Sequence, residues 1–403
     1  MIGEPFIQAV PVLQLIENAG FEAYFVGGSV RDHILGREIS DVDIATSALP
    51  EELKQIFPKT NDVGIEHGTI LVHHKGGHYE ITTFRTEQDY SDFRRPDKVS
   101  FIRSLKEDLQ RRDFTMNAIA MDKEGNIIDP FAGKEAINNK VIVTVGNPDE
   151  RFGEDALRML RAVRFKSQLS FSIEKHTLAS LAAHCHLLEN IAVERKTVEF
   201  EKLLVGNGRS EAVQLLANSG MIHFLPGLKN HSDGVRRFSS RLRKNFRLTE
   251  CWVLLVFELG LKDKEIDDFL REWKLPVNKI KRINKIHSLL LHRLENDWSL
   301  ELVYKAGLED AICAEIVYAS LHNSSGSDDE IRGLHERLPI KHRKELDVTG
   351  NDVMSWLDKH PGPWLRDILD EIERSVIYGV VPNEKEKIKE WLNAFNQKSE
   401  KNY

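Results

Sequence analysis

The sequence predicts an α/β domain at the N-terminus followed by an all-α portion, and two patterns support this prediction. Over about the first 145 residues, short runs of β-branched and aromatic residues alternate with helical patterns. From about Arg151 onward, long helical patterns follow one another and strand-like alternation nearly disappears. Because the periodicity changes there, we expect the boundary between the α/β domain and the helical portion near this residue.

The individual elements follow from local pattern and turn chemistry. Lys75-Gly76-Gly77 separates two strand-like runs, which predicts a β-hairpin formed by Thr69–His74 and His78–Phe84. Pro50 suits the first turn of a helix. Further strands are predicted at Tyr24–Val26, Val42–Ile44, Asn126–Ile128 and Val141–Val145. Helices are predicted at Phe6–Ala19, Glu51–Phe57, Glu154–Gln168, Glu174–His184, Val193–Val205 and Ser210–Asn218.

The composition argues against secreted and membrane-spanning proteins. The 403 residues are 41% hydrophobic and 30% charged, and this length suggests two to four domains at roughly 150 residues each. No run approaches the roughly 20 apolar residues of a membrane span, and no signal-peptide pattern opens the chain. The three cysteines lie far apart without a CxxC pair. We therefore expect neither a disulfide framework nor a zinc site, and a cytoplasmic location.

Two basic stretches in the helical portion are candidate surfaces for nucleic acid, although the formal net charge is −7. Binding depends on where the cations cluster and not on their sum. Phe238, Phe246 and Trp273 lie nearby in the sequence, which favours a phosphate-binding surface over a solvated charged face. One stretch contains Arg236, Arg237, Arg241, Arg243, Lys244 and Arg247, and the other contains Lys274, Lys279, Lys281, Arg282 and Lys285.

A glycine pair follows the first predicted strand. The segment Gly27-Gly28-Ser29-Val30-Arg31-Asp32 leads from Tyr24–Val26 into a helical pattern. Paired glycines at such a turn let backbone N–H groups approach an anion closely, at the positive end of the next helix. Arg31 adds a planar donor for phosphate. The pattern is typical of a phosphate site, although many strand–turn–helix units also contain two glycines.

Two aspartates follow shortly afterwards. Asp41 and Asp43 alternate with Val42 and Ile44, so a strand would place both carboxylates on one face. Such a pair suits hard cations, and Glu80 on the predicted hairpin is either a third carboxylate or an exposed strand residue. A phosphate-binding turn followed by two such carboxylates is typical of two-metal nucleotidyl transfer.

These motifs resemble the template-independent RNA nucleotidyltransferases of the polymerase-beta superfamily, which include CCA-adding tRNA nucleotidyltransferases and bacterial poly(A) polymerases. The resemblance continues in family order over residues 27–199, and the segment 348–354 is similar to the tail of Gram-positive CCA-adding enzymes. The motifs that carry it are Gly27–Asp32, Asp41–Asp43, Arg111–Ala118, Glu154–Arg158 and Glu194–Glu199.

The resemblance implies a role for each matching residue. Asp41 and Asp43 match the catalytic Mg²⁺ ligands, with two ions expected, and Gly28 and Arg31 match triphosphate contacts. Arg112 and Asp113 match the motif that contacts the nucleotide and its ribose, and a carboxylate is a suitable acceptor for a 2′-hydroxyl.

Asp155 and Arg158 lie three residues apart on the predicted helix Glu154–Gln168, where they are neighbours. Two roles are open for these residues. They form a surface ion pair, or, as the resemblance implies, they act as a protein template that pairs with the base edge of CTP or ATP. Arg161 and Arg164 match further nucleotide-binding positions, although helical geometry places Arg164 about half a turn away from Asp155. The resemblance indicates supporting roles for Glu194, Arg195 and Glu199.

Several functions remain open on the sequence. We favour addition of C, C and A to the tRNA 3′ end from CTP and ATP, because the loop Thr86–Pro96 resembles the flexible loop of full CCA-adding enzymes. The alternatives are CC-only addition, A-only addition and poly(A) synthesis. A non-catalytic RNA-binding protein and a transferase for a small-molecule hydroxyl belong to other classes. Intact carboxylates argue against the first, and two basic stretches argue against the second.

The resemblance also divides the chain into four parts. We expect a catalytic head at 1–145, a helical neck for base recognition at 146–207, and a body at 208–325 and tail at 326–403 for tRNA binding. Lys279, Lys281 and Arg282 are the candidate tRNA contacts. No membrane partner is expected, and the sequence leaves the oligomeric state open, with a homodimer as one alternative.

Overall fold

The computed structural model describes residues 2–88, 98–324 and 328–400. Within them the chain forms two compact units, Met1–Ser240 with Glu272–Lys274, and Arg241–Arg271 with Leu275–Tyr403. The four-part division into head, neck, body and tail is a finer one and stays a prediction.

The first unit contains a mixed sheet that carries the predicted α/β pattern. Among the described residues, seven strands form this sheet in the order β3-β4-β5-β2-β1-β8-β9. The sheet strands are β1 (Ala23–Val26), β2 (Asp43–Thr46), β3 (Thr60–Gly64), β4 (Thr69–His74), β5 (Gly77–Thr83), β8 (Ala120–Met121) and β9 (Ile127–Ile128). Two further pairs are β6 (Arg85–Gln88) with β7 (Lys98–Phe101) and β10 (Val141–Ile142) with β11 (Ser172–Ile173).

Helices make up most of the remaining described chain, which confirms the predicted change from α/β to all-α. Those before residue 206 are α1 (Phe6–Asn18), α2 (Gly28–Ile34), α3 (Pro50–Ile56), α4 (Leu105–Gln110), α5 (Gly133–Asn138), α6 (Pro148–Glu154), α7 (Leu157–Leu169), α8 (Lys175–His184) and α9 (Val193–Leu204). The later ones are α10 (Arg209–Asn218), α11 (Ser232–Arg241), α12 (Leu248–Glu258), α13 (Lys264–Glu272), α14 (Val277–Glu295), α15 (Leu300–Ala306), α16 (Leu308–Leu321), α17 (Asp329–Arg337), α18 (Gly350–Leu357), α19 (Trp364–Ile377) and α20 (Lys385–Glu400).

Two strand predictions have different outcomes. The predicted hairpin is confirmed, because β4 pairs antiparallel with β5 across the Lys75–Gly77 turn. The predicted strand Val141–Val145 is shorter than expected and ends at Ile142. Beyond that point Thr144 makes only an isolated bridge to Phe114.

The predicted helix Glu154–Gln168 is wrong at its start. Asp155 has φ −136° and ψ 99°, an extended conformation that ends α6. Its Oδ1 accepts a hydrogen bond from the backbone N–H of Leu157 at 3.0 Å, which satisfies one of the free donors at the start of α7. Asp155 therefore lies in a break between two helices and does not share a helical face with the residues that follow.

The second unit is built around α12, whose residues Cys251–Val256 are completely buried. A helix that is apolar on all sides is typical of a protein core, so the neighbouring helices pack around it. No helix in the described ranges is both long enough and apolar enough to cross a bilayer.

Candidate active site

The turn after β1 brings the backbone close to two charged side chains. Gly27 has φ 74°, in the left-handed region that favours glycine. A Cβ atom at this position would lie 3.1 Å from Nη1 of Arg112 and 3.6 Å from Oδ2 of Asp43. Because Gly27 has no side chain, Arg112 and Asp43 can lie close to the backbone at the start of α2.

The two predicted metal-binding aspartates lie at the start of β2. Asp43 is the first residue of the strand and Asp41 precedes it, and both are exposed while Val42 and Ile44 are buried. This alternation agrees with the predicted placement of the two carboxylates on one face. Glu80 on the neighbouring strand β5 is in register with Asp43, so a third carboxylate lies beside the pair.

The electrostatics of this carboxylate group suit a bound cation. Although the Asp43 side chain is solvent-accessible, partial desolvation by the surrounding protein atoms raises its pKa, Arg112 opposes the rise, and the nearby Glu80 and Asp41 carboxylates add to it. Among the described residues, no group of three His, Cys, Asp or Glu side chains is arranged to hold a metal ion. Mg²⁺ commonly binds one or two protein carboxylates and completes its shell with water and substrate phosphates. The donor set therefore fits Mg²⁺ bound together with a triphosphate.

A buried network of charged groups connects α2 to α7. Arg31 donates from Nη1 to Oδ1 of Asn117 at 2.7 Å and binds Asp32 through Nε and Nη2. Asn117 in turn donates from Nδ2 to Oδ1 of Asp113 at 3.0 Å. The Asp113 carboxylate also binds Arg161, through Nε at 2.8 Å and Nη2 at 2.6 Å. Arg31 and Arg161 are therefore connected through Asn117 and Asp113.

The acceptor positions of Asp113 are fully used in this arrangement. Oδ1 accepts from Asn117 and from the backbone N–H of Phe114, and Oδ2 accepts both donors of Arg161. A carboxylate has about four lone-pair sites. Burial alone would raise the pKa of Asp113, but Arg161 and these hydrogen bonds lower it to about 2. The nucleotide and ribose contact that the resemblance implies for Arg112 and Asp113 stays a prediction, and in the structure the Asp113 carboxylate holds Arg161 and Asn117.

Arg112 and Arg111 share one buried carboxylate. Asp108 is 1% exposed and accepts from Nη2 of Arg111 at 2.9 Å and from Nη2 of Arg112 at 3.2 Å. Burial acts to raise the pKa of Asp108, but the two guanidinium groups lower it below its ordinary value. Asp108 therefore holds both arginines, and Arg112 is the one beside the Gly27 turn.

Asp155 and Arg158, for which the sequence left an ion pair and a base-reading pair open, bind different partners. The Asp155 carboxylate binds Arg195, with Oδ2 to Nη2 at 2.8 Å and Oδ1 to Nη1 at 3.4 Å. Arg158 instead binds Glu154 and donates from Nη2 to the backbone carbonyl of Arg111 at 3.0 Å. The physical reason is the helix break at Asp155, which turns its side chain towards α9.

Three arginines surround the ring of Phe165 on α7. The guanidinium carbon lies 4.2 Å from the ring centroid for Arg164, 5.2 Å for Arg31 and 5.5 Å for Arg161. Each distance is within the range of a cation–π interaction. Positions 158, 161, 164 and 165 lie on one face of α7. The helical geometry that placed Arg164 half a turn from Asp155 does not apply, because Asp155 lies before the start of α7.

Arg164 is buried, and its Nε has no well-aligned hydrogen-bond acceptor among the described residues. Its Nε lies 2.8 Å from Oε2 of Glu199, yet neither atom makes a hydrogen bond of good geometry within the described residues. Burial and the adjacent Arg161 lower the pKa of Arg164 to about 10. The supporting role expected for Glu199 agrees with its contact to Arg164.

These groups line one cleft of about 550 Å³ in the first unit. Its lining brings together most of the residues predicted from the sequence, although Asp41 is not part of it. The predicted residues in the lining are Gly28, Arg31, Asp43, Arg112, Asp113, Asp155, Arg158, Arg161 and Arg164. The cleft thus combines the Asp43 carboxylate at the start of β2 with five arginines among these residues, a combination suited to a nucleoside triphosphate and its metal ions.

Sequence reasoning did not select several residues of the cleft. Asn117 lies inside the motif Arg111–Ala118, and this position in the motif was the one indication in the sequence that it belongs to the site. Phe165 has the sequence pattern of an ordinary core residue, and the neighbouring residues in the sequence do not indicate that three arginines surround its ring. Arg111 also lines the cleft, and its adjacency to Arg112 was the available signal.

Two other sets of predicted features belong to different parts of the chain. Residues 89–97 of the predicted loop Thr86–Pro96 lie outside the described residues. Phe238, Phe246 and Trp273 are at most 3% exposed, so the expectation that they accompany a nucleic-acid surface is wrong, because these rings pack in the core.

The candidate tRNA contacts are on α14 in the second unit. Lys281 and Arg282 are exposed and Lys279 is half-buried. Arg282 donates from Nε to Oδ1 of Asp310 at 2.8 Å and lies 3.4 Å from Glu309. Part of the positive charge predicted for this stretch is therefore neutralised by carboxylates that are distant in the sequence.

Three family models match the chain. The first, "Poly A polymerase head domain", matches residues 23–143. The "Probable RNA and SrmB-binding site of polymerase A" matches residues 170–231. The third is described as tRNA nucleotidyltransferase domain 2 and matches residues 244–392.

Curated relatives match over nearly the whole length. A protein of Geobacillus sp. (strain WCH70) named "CCA-adding enzyme" is 50% identical over 396 residues, which are 96% of this chain and 97% of the relative. A CCA-adding enzyme of Geobacillus thermodenitrificans (strain NG80-2) is also 50% identical and covers 99% of both chains.

Solved structures have the same architecture. The Bacillus stearothermophilus CCA-adding enzyme in complex with CTP matches with a TM-score of 0.89 and 45% identity, over 100% of both chains. The Thermotoga maritima CCA-adding enzyme complexed with tRNA matches with a TM-score of 0.66 over 98% of this chain and 96% of that one. At 22% identity, the second match shows the fold alone.

Proposed function

This chain belongs to the family of CCA-adding enzymes, and from this premise we propose how its cleft performs the reaction. The activity is nucleotidyl transfer that adds C, C and A to the 3′ end of tRNA from CTP and ATP. In each round the tRNA 3′-hydroxyl attacks the α-phosphorus of the nucleotide, a new phosphodiester forms, and pyrophosphate leaves. The cleft with Asp43 at one side and the α7 arginines at the other is the observation that carries the proposal.

Asp41 and Asp43 are proposed to hold the metal ions at the strand end. Two Mg²⁺ ions held there would activate the attacking hydroxyl and neutralise charge on the triphosphate. Glu80 beside Asp43 adds negative charge to the same place. Asp43 is the first residue of β2 and lines the cleft, and Asp41 precedes it by two residues.

The arginines are proposed to bind the triphosphate and orient it. Arg31 and Arg112 lie next to the Gly27–Gly28 turn, and Arg161 and Arg164 on α7 line the same cleft. Guanidinium groups are planar and donate two parallel hydrogen bonds to phosphate oxygens. Asp113 contributes by holding Arg161, since its acceptor positions are already used.

Asp155 and Arg158 are proposed to select the base. Cytosine and adenine both present an amino donor beside a ring nitrogen acceptor, whereas uracil and guanine present a carbonyl in place of the amino group. A carboxylate acceptor and a guanidinium donor at the cleft wall match the first pair of bases. Arg158 would exchange its contact to Glu154 for the base edge.

The helical portion from residue 208 onward is proposed to hold tRNA, with body and tail divided near residue 325. Lys279 and Lys281 on α14 supply cations for its phosphate backbone. The three free cysteines, Cys185, Cys251 and Cys313, favour a reducing compartment, so we infer a cytoplasmic enzyme. Light scattering in solution distinguishes a monomer from the homodimer that the sequence left open.

Substitution of the metal ligands tests the proposal. D41A and D43A should each abolish incorporation of CTP and ATP, because the ions lose a ligand, while tRNA affinity in a gel-shift titration stays within about twofold. D62A is a matched control, since Asp62 is an exposed carboxylate on β3 of the same sheet. Normal turnover in D41A or D43A would contradict the assignment.

A further inference from the structure

The Arg195 guanidinium contacts the proposed base-selecting carboxylate from outside the cleft. Arg195 lies in the first turn of α9, and its Nη2 is 2.8 Å from Oδ2 of Asp155. A second contact joins Nη1 to Oδ1 at 3.4 Å. Asp155 lines the cleft, whereas Arg195 is not part of the lining. Asp155 is therefore a direct connection between Arg195 and the cleft.

The hydrogen bonds that the Asp155 carboxylate accepts determine how many of its lone pairs remain for a ligand. Oδ1 accepts from the Leu157 backbone N–H and from Arg195, and Oδ2 accepts from Arg195. An ionised carboxylate offers about four lone-pair sites. These three donors, counted over the described residues, leave about one site, and it is on Oδ2. Since every partner is a donor, this carboxylate acts as an acceptor and not as a donor.

We propose that Arg195 is a positioning residue that sets base selection by fixing Asp155 as a single, oriented acceptor. This inference rests on the proposed role of Asp155 in base selection. An amino group of cytosine or adenine fills the remaining site on Oδ2. A carbonyl of uracil or guanine meets an oxygen that has no proton to donate, so two acceptors face each other without a hydrogen bond.

The two contacts to Arg195 also fix the plane of the carboxylate. The terminal torsion of an aspartate side chain is broad when nothing restrains it. A planar guanidinium that meets both oxygens restrains this torsion, whereas a lysine ammonium is a point charge without the two-pronged geometry. Lysine at position 195 should therefore preserve the charge and lose part of the orientation.

A double-mutant cycle tests the proposal on the full-length enzyme. The substrate is a tRNA transcript that lacks its terminal CCA, with Mg²⁺ and either CTP or UTP, and the readout is the ratio of kcat/KM for the two nucleotides. The variants are R195Q, R195K, D155A and D155A/R195Q. K202Q removes a positive charge from an exposed position on the same helix and is the matched control.

R195Q should lower the CTP-to-UTP ratio about tenfold, and R195K should lower it by a smaller factor. In the D155A background the additional change should stay below about twofold, because the effect requires the carboxylate. K202Q should leave the ratio unchanged. R195K has the same charge and similar length, so it provides the test if R195Q does not fold.

Three results would overturn the proposal. Equal losses for CTP and UTP in both R195Q and R195K would indicate a merely structural role. An undiminished R195Q effect in the D155A background would mean that Arg195 does not act through Asp155. An unchanged CTP-to-UTP ratio in D155A would refute both the proposed role of Asp155 and this inference. This outcome is distinguishable from the other two because D155A is measured on its own.

Discussion

Arg161 on α7 meets the Asp113 carboxylate with both its Nε and its Nη2, at 2.8 and 2.6 Å. The two residues are 48 positions apart in the chain. Asp113 is 8% exposed and accepts two further hydrogen bonds, so the pair is an internal support of the cleft. Loss of this carboxylate would leave the half-buried Arg161 without its principal counter-charge.

D113N should therefore show a pH-dependent loss of stability. The pKa of Asp113 is lowered from 3.8 to about 2 in the folded protein, which corresponds to about 2 kcal/mol. This contribution is fully present above pH 3.8 and is lost as the pH falls towards 2. Urea unfolding at several pH values measures it, with D62N as the exposed control. An equal difference between D113N and the parent at pH 7 and at pH 2.5 would contradict the account.

The ring of Phe165 should matter for nucleotide affinity. F165L removes the π face that Arg164, Arg31 and Arg161 surround, and each such contact is worth about 0.5–2 kcal/mol. We expect KM for CTP and ATP to rise about tenfold in F165L, whereas F165Y keeps the ring and should retain most of the affinity. Steady-state kinetics decide between them. Equal increases in F165L and F165Y would show that size and not the π face is important.

Gly27 offers a test of the close approach at the β1 turn. G27A adds a Cβ 3.1 Å from Nη1 of Arg112, and displacement of a catalytic group by about 1 Å can reduce rate by about a hundredfold. We expect kcat to fall by at least about tenfold. G36A is the matched control, because Gly36 also has positive φ (64°) but no atom within 4 Å of a Cβ. Similar kcat values for the two variants would contradict the proposed crowding.

The ion pairs on α14 separate two candidate tRNA contacts. K281A should reduce the slope of log Kd against log salt by about 1, because Lys281 is exposed and has no carboxylate partner among the described residues. R282A should change the slope little, since Arg282 is bound to Asp310. Filter binding across a salt series measures both. An unaltered slope in K281A would place the tRNA surface elsewhere.

Local pattern predicted the elements of the site well. The β4–β5 hairpin follows from Lys75-Gly76-Gly77, a turn signal within the sequence itself. The Asp41–Asp43 alternation likewise depends on neighbouring residues, and the structure has both carboxylates exposed with Val42 and Ile44 buried. Such features depend on a few neighbouring residues, so they can be predicted from the sequence alone.

The pairing of charged groups could not be predicted in this way. Asp155 and Arg195 are 40 positions apart, and Arg31 and Asn117 are 86 apart. The break between α6 and α7 contains neither glycine nor proline. It is stabilised by the Asp155 carboxylate, which accepts from Leu157 and Arg195. Tertiary contacts thus override a helical pattern that looks continuous.

The most direct test of the account is single-nucleotide extension of a tRNA that lacks its CCA end, compared between the parent enzyme and D155A. The account predicts two C additions with CTP alone, one A after ATP is supplied, and then a stop in the parent. D155A should incorporate U or G at rates approaching those of C and A. Arrest of the parent after CC, or a long A ladder, would contradict CCA addition. Unchanged selectivity in D155A would contradict base selection by the Asp155 carboxylate.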